Sequence, residues 1–174
     1  MAMRTRDHLQ TMAYSYREIC QGEQPWIALG NFMNDWFDNK KNRRPELVAE
    51  PMIMPENPTR KQRKWAAFIA GSVEDLCGRY GIPCPEWIHD PQYVLDKAWW
   101  YYAKNIRYAS ERKERIAKTP ESYKRRHVYC GDRAWANKWE LDELALKIRE
   151  IRARKQALQQ AEQQAPQQQT AQEV

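Results

Sequence analysis

The segment from Thr59 to Gly81 is the strongest constraint on what this chain can fold into. Thr59 and Gln62 have capping-box spacing, in which hydroxyl and amide each satisfy a backbone donor left open in a helix's first turn. Trp65, Phe68, Ile69, Val73, Leu76 and Cys77 then recur at helical steps, which gathers them on one stripe. Gly81 is placed to end the helix. A stripe this large must be covered, so other segments have to supply packing faces.

Several do. Residues 5–20 predict a helix with Leu9, Met12, Ala13, Tyr16 and Ile19 on one face and Gly22 as its stop. Pro25 opens a second helix, because a first turn does not need its missing N–H. Trp26, Leu29, Phe32, Met33, Trp36 and Phe37 make that helix's apolar face, and Gly30 inside it predicts close approach of another backbone. Lys40, Lys41, Arg43 and Arg44 begin a connector carrying Pro45, Pro51, Pro55 and Pro58. Its ELVAEPMIM stretch predicts a short extended segment, with too much proline nearby for a central strand.

Beyond Gly81, Pro83 and Pro85 impose a rigid extended or turn path, and DPQYVLD is open to several conformations. A long helix is expected over residues 98–118. Thr119 as cap and Pro120 as first residue predict a short helix to about Arg126. VYCGD predicts an extended piece or turn. Asp132 is the expected cap of a last helix bearing Trp135, Trp139, Leu141, Leu144, Ile148, Ile151 and Leu158. From Leu141 that spacing approaches a coiled-coil seam, interrupted at Lys155, so weak self-association through this helix is expected. After Gln159 the Gln-rich end offers nothing to bury, and disorder or fraying is expected.

The expected architecture is therefore all-α, a compact bundle of about five to six helices with a protruding C-terminal helix. Residues 1–145 form a single helical domain with the Pro-rich connector at 39–58. Residues 146–174 form a C-terminal helix extension and Gln-rich tail. A chain of 174 residues, 42% hydrophobic and with eight Trp, is long enough to bury a core. No apolar run approaches the roughly 18 residues that cross a bilayer, and no secretory stretch opens the chain, so a cytoplasmic protein is expected. In that setting Cys20, Cys77, Cys84 and Cys130 read as reduced thiols rather than staples.

Charge and rings concentrate elsewhere. Residues 97–138 hold twelve Lys or Arg against four Asp or Glu, a local +8 in a chain of net charge +6. Trp99, Trp100, Tyr101, Tyr102, Tyr108, Tyr123, Tyr129 and Trp135 lie among them. Cations beside flat rings suit an anionic, ring-bearing partner. They equally suit a helical core with a solvated positive face. The bland reading of ERKER at 111–115 is ion pairing along an exposed helix. On a helix, WWYY spreads over more than half the circumference, so at least one ring between Trp99 and Tyr102 should face solvent or a partner.

Chemistry-bearing motifs are sparse. Cys84 and His89 with His127 and Cys130 could make a Cys2His2 zinc site, but neither spacing is one that zinc fingers use. Cys130 near His127, Lys124, Arg125 and Arg126 is the one candidate nucleophile, and nothing resembles an oxyanion hole. Six glycines form no phosphate loop, and no known nucleic-acid-binding pattern is present. No catalytic residue, resident metal or cofactor is therefore assigned.

PWIALGNFMNDWF, RPELVAEP, KWAAFIAGSVEDLCGRYGIPCPEWI and YKRRHVYCGDRAWANKWELD together resemble a family of short Trp-rich bacterial proteins. The resemblance spans about residues 12–142. That family carries no assigned activity, so no site residue follows from it. Its members resemble small companions of nucleotidyltransferase-like or toxin–antitoxin pairs, which implies a protein partner. The expected function is a non-enzymatic bacterial interaction or regulatory protein. Trp99, Trp100, Lys124, Arg125 and Arg126 would grip a protein partner, the alternative being nucleic acid on the same surface.

Overall fold

Thr59 caps the central helix as its spacing requires. Its hydroxyl accepts from the Gln62 amide at 3.2 Å, and the Gln62 side chain accepts from the Thr59 N–H at 2.8 Å. The computed structural model describes residues 8–101 and 108–164, and the fold they define is all-α. The chain divides between Trp135 and Ala136 into two units.

The first unit contains α1 (Met12–Cys20), α2 (Pro25–Asn34), α3 (Arg44–Ala49), α4 (Arg60–Tyr80), α5 (Ala109–Lys118) and α6 (Glu121–Lys124). A two-stranded parallel ladder joins β1 (Trp99–Trp100) to β2 (Val128–Tyr129), with Trp99 beside Val128 and Trp100 beside Tyr129. Helix α4 ends at Gly81, whose φ of 63° is the left-handed conformation such a stop needs. It packs against α1, α6 and the turns at Glu86–His89 and Pro91–Tyr93.

An aromatic cluster surrounds Phe68. Trp26, Trp65, Trp99, Tyr101, Tyr123 and Trp135 all place ring centroids within 6.4 Å of it. Such pairs add about 0.5–1.5 kcal/mol each beyond area burial. The buried polar tips are joined: Trp135 Nε1 donates to Tyr123 Oη at 3.0 Å, and that hydroxyl lies 3.2 Å from Ser72 Oγ.

The structure corrects several local expectations. Helix α1 starts at Met12, with Thr11 Oγ1 accepting from the Tyr14 N–H at 3.0 Å; residues 1–7 lie outside the described residues. Helix α2 passes into a single wider turn at Asp35–Asn39, where Trp36 and Phe37 are buried. ELVAEPMIM is not extended throughout, because Pro45 sits in the first turn of α3 and starts a helix. Leu47, Val48 and Met52 are buried, so the connector is part of the core. Gly30 does not mark a close approach: a Cβ there would meet nothing within 4 Å. That role belongs to Gly71, where a Cβ would lie 2.8 Å from Tyr123 Cδ1.

The largest correction concerns residues 98–118. Trp99 and Trp100 are extended, and the described helix begins at Ala109; residues 102–107 lie outside the described residues. Aromatic runs fit strands well, and alternation sends neighbouring rings to opposite faces. Thr119 does not cap α6. Its hydroxyl donates to the Arg115 carbonyl at 2.7 Å and accepts from the Gly131 N–H at 2.8 Å.

The second unit is built on α7 (Lys138–Gln164). Asn137, rather than Asp132, supplies its start, with Oδ1 accepting from the Glu140 N–H at 2.9 Å. Trp135 lies before this helix and is buried in the first unit. Leu141, Ile148, Ile151 and Leu158 are exposed. The Leu144 side chain and residues 165–174, including most of the Gln-rich tail, lie outside the described residues. No described helix is long and apolar enough to cross a membrane.

Candidate binding surface

The KRRH cluster is largely consumed by ion pairs. Arg126 is buried: Nη1 donates to Glu74 Oε2 at 2.6 Å and to the Ser122 carbonyl, and Nη2 donates to the Ile88 carbonyl at 2.7 Å. The expectation of Arg126 as a partner-binding cation is thus corrected, because its guanidinium fork ties α6 to α4 and to the following turn. Arg125 is half-exposed, with Nη1 3.0 Å from Glu74 Oε1. Lys124 Nζ lies 3.5 Å from Glu121 Oε2. Arg115 of the ERKER segment is also structural, donating to the Tyr101 and Cys130 carbonyls at 3.1 and 3.3 Å.

The two tryptophans have different surroundings. Trp99 turns toward the aromatic cluster, edge-on to Trp65 and Tyr101 at 5.5 and 5.1 Å. Lys64 Nζ stands 5.4 Å over its ring. Trp100 stacks on Tyr129, with centroids 4.5 Å apart and planes inclined by 20°. Both rings of that stack are half-buried, and the Arg112 guanidinium lies 5.9 Å from the Trp100 centroid. Of the expected set, Trp100 is the ring best placed to meet a ligand's flat face. Tyr102, the remaining candidate for an exposed ring, lies outside the described residues.

A cationic cavity of about 240 Å³ opens where α4 begins. Arg60, Arg63, Lys64 and Lys97 line it, with Asp96 as the one carboxylate and Gln92 alongside. None of the four cations forms an ion pair with a described residue. Burial lowers the Lys64 ammonium below its usual value, and repulsion from Arg60 one turn away adds to this. The sequence did hold a signal for this site. Arg60, Arg63 and Lys64 fall at 0, +3 and +4 on one helix face, beginning in a first turn where the dipole disfavours cations.

The cysteines do not form the sites considered for them. Among the described residues no group of three His, Cys, Asp or Glu is gathered to hold a metal, which overturns the Cys84, His89, His127 and Cys130 zinc alternative. Cys84 and His89 are exposed, and Cys130 is buried. His127 adopts φ 58° and its Nδ1 meets the Leu95 carbonyl, so its visible role is to turn the chain into β2. Burial pushes the Cys130 thiol up to about 12, the opposite of what a nucleophile at neutral pH needs.

Fold and surface together define an all-α protein that gathers cations without ion-pair partners among the described residues, together with half-buried rings. No family model, curated protein or solved structure matches the chain. The resemblance to short Trp-rich bacterial proteins therefore adds no assignment.

Proposed function

We propose that the chain is a non-enzymatic interaction protein that binds single-stranded nucleic acid. The observation that supports this best is the Trp100–Tyr129 stack, half-buried and approached by Arg112. Each base stacked on such a platform contributes about 1–3 kcal/mol, whatever its sequence. Bases within a duplex cannot reach a side-chain platform, so the reading favours unpaired strands. Arg112 beside the rings supplies a cation for phosphates.

A labelled oligonucleotide titrated by fluorescence anisotropy tests this reading. Single strands should bind more tightly than the corresponding duplex. Equal affinity for both, or no binding at low salt, would remove it.

A protein partner is the second reading, and the exposed Leu141, Ile148, Ile151 and Leu158 of α7 favour it. Their spacing is that of a helix-pairing seam. Arg152, Arg154 and Lys155 lie along the latter half of that stretch, where a counterpart carrying acidic side chains would fit.

A further inference from the structure

The cavity at the start of α4 is separate in its chemistry from the Trp100 platform. We propose that it is a binding site for a small anion carrying several phosphates, held by Arg60, Arg63, Lys64 and Lys97. Four cations face one carboxylate, Asp96, and none has an ion-pair partner among the described residues. Arg60 and Lys64 repel each other across one helical turn, an arrangement that a multiply charged anion relieves.

The helix end itself is already satisfied. Thr59 and Gln62 close the capping box, so recognition falls to side chains rather than to open backbone amides. Arginine forks match pairs of phosphate oxygens, while lysines act as mobile point charges. Space of about 240 Å³ accommodates a short run of phosphates and excludes a duplex. Val94 and Leu95 provide an apolar side to the same cavity, against which a group attached to the phosphates can rest. Free nucleotides and the phosphorylated end of a single strand both present this chemistry.

Isothermal titration of the full chain with sodium tripolyphosphate at low ionic strength is the test, with ATP and a 5′-triphosphorylated single strand as parallel ligands. Saturable single-site binding of tripolyphosphate is expected. The double variant Arg63→Ala with Lys97→Ala should weaken it by about tenfold or more. Lys61→Ala removes the same kind of charge from the same helix, but Lys61 does not line the cavity; that variant should bind like the parent. Absence of saturable binding would overturn the proposal, as would an equal loss in Lys61→Ala. Circular dichroism melts of each variant establish that the fold is kept. ATP binding as tightly as the triphosphorylated strand identifies a free nucleotide, whereas a tighter strand that loses its advantage in the double variant identifies a strand end. Trp100→Leu should leave tripolyphosphate binding unchanged even where it weakens oligonucleotide binding, so this inference and the nucleic-acid reading can fail separately.

Discussion

Arg126 and Glu74 meet at 2.6 Å, with the Arg126 side chain 3% exposed and that of Glu74 18% exposed. This pair joins α6 to α4, and Arg126 also satisfies the Ser122 and Ile88 carbonyls. Removing one partner of a buried ion pair costs about 3–5 kcal/mol. Arg126→Ala should therefore lower stability by about that amount, while Arg125→Ala on the half-exposed neighbour should cost about 1 kcal/mol or less. Urea unfolding midpoints of the two variants check the difference. Because both arginines pair with Glu74, a charge reversal at both positions tests folding rather than binding.

Gly71 and Gly30 should respond in opposite directions to alanine. At Gly71 a Cβ would press on Tyr123 Cδ1 at 2.8 Å and on the Ser122 carbonyl at 3.2 Å. Helix α6 must shift to admit it, at a cost of about 1–3 kcal/mol. Gly30 lies within α2 with open space around it, so Gly30→Ala should stabilise by about 0.5–1 kcal/mol through helix propensity. Thermal melts of both variants settle the pair, and stabilisation by Gly71→Ala would contradict the packing described.

Much of this fold is legible in the sequence, and the reason is local. Thr59, Gln62 and Gly81 write the ends of α4 in residues that contact one another along the chain. Pro25 does the same for the start of α2. The Trp99–Trp100 strand was not legible, because its pairing with Val128 and Tyr129 is a long-range choice that no local pattern encodes. The cation cluster at 124–126 misled for a similar reason: Glu74, which neutralises Arg125 and Arg126, is some fifty positions away in the sequence. The cationic cavity was half legible, since Arg60, Arg63 and Lys64 share a face, but only folding brings Lys97 to them.

Alkaline pH should unfold the protein early. Burial raises Cys77 and Cys130 from an ordinary 9.0 to about 12 and Tyr93 from 10.0 to about 12. Tyr16 and Tyr123 are raised by burial as well. Between the unfolded and folded values the unfolded chain has lost protons that the folded chain keeps, so stability falls as pH rises. The contribution is intact below about pH 9 and is lost progressively toward pH 12. Denaturant midpoints that stay flat from pH 8 to 11 would count against this burial.

Thiol reactivity should follow exposure. Cys84 is exposed, whereas Cys77 and Cys130 are buried with raised pKa values. A maleimide at neutral pH should therefore label Cys84 first, leaving Cys77 and Cys130 protected until denaturant is added. Mass spectrometry of tryptic peptides reads the order. Early labelling of Cys130 would revive it as a reactive thiol.

The central claim is that Trp100 and Tyr129 form a stacking platform for unpaired bases. Its most direct test is single-strand affinity measured across a salt series for the parent and for Trp100→Leu. The account predicts weaker binding by the variant at every salt concentration, by about 1–3 kcal/mol, with the same dependence on salt. That pattern would mean that a base contact is lost while the phosphate contacts remain. Unchanged affinity in Trp100→Leu would contradict the claim and leave cations alone to account for any binding.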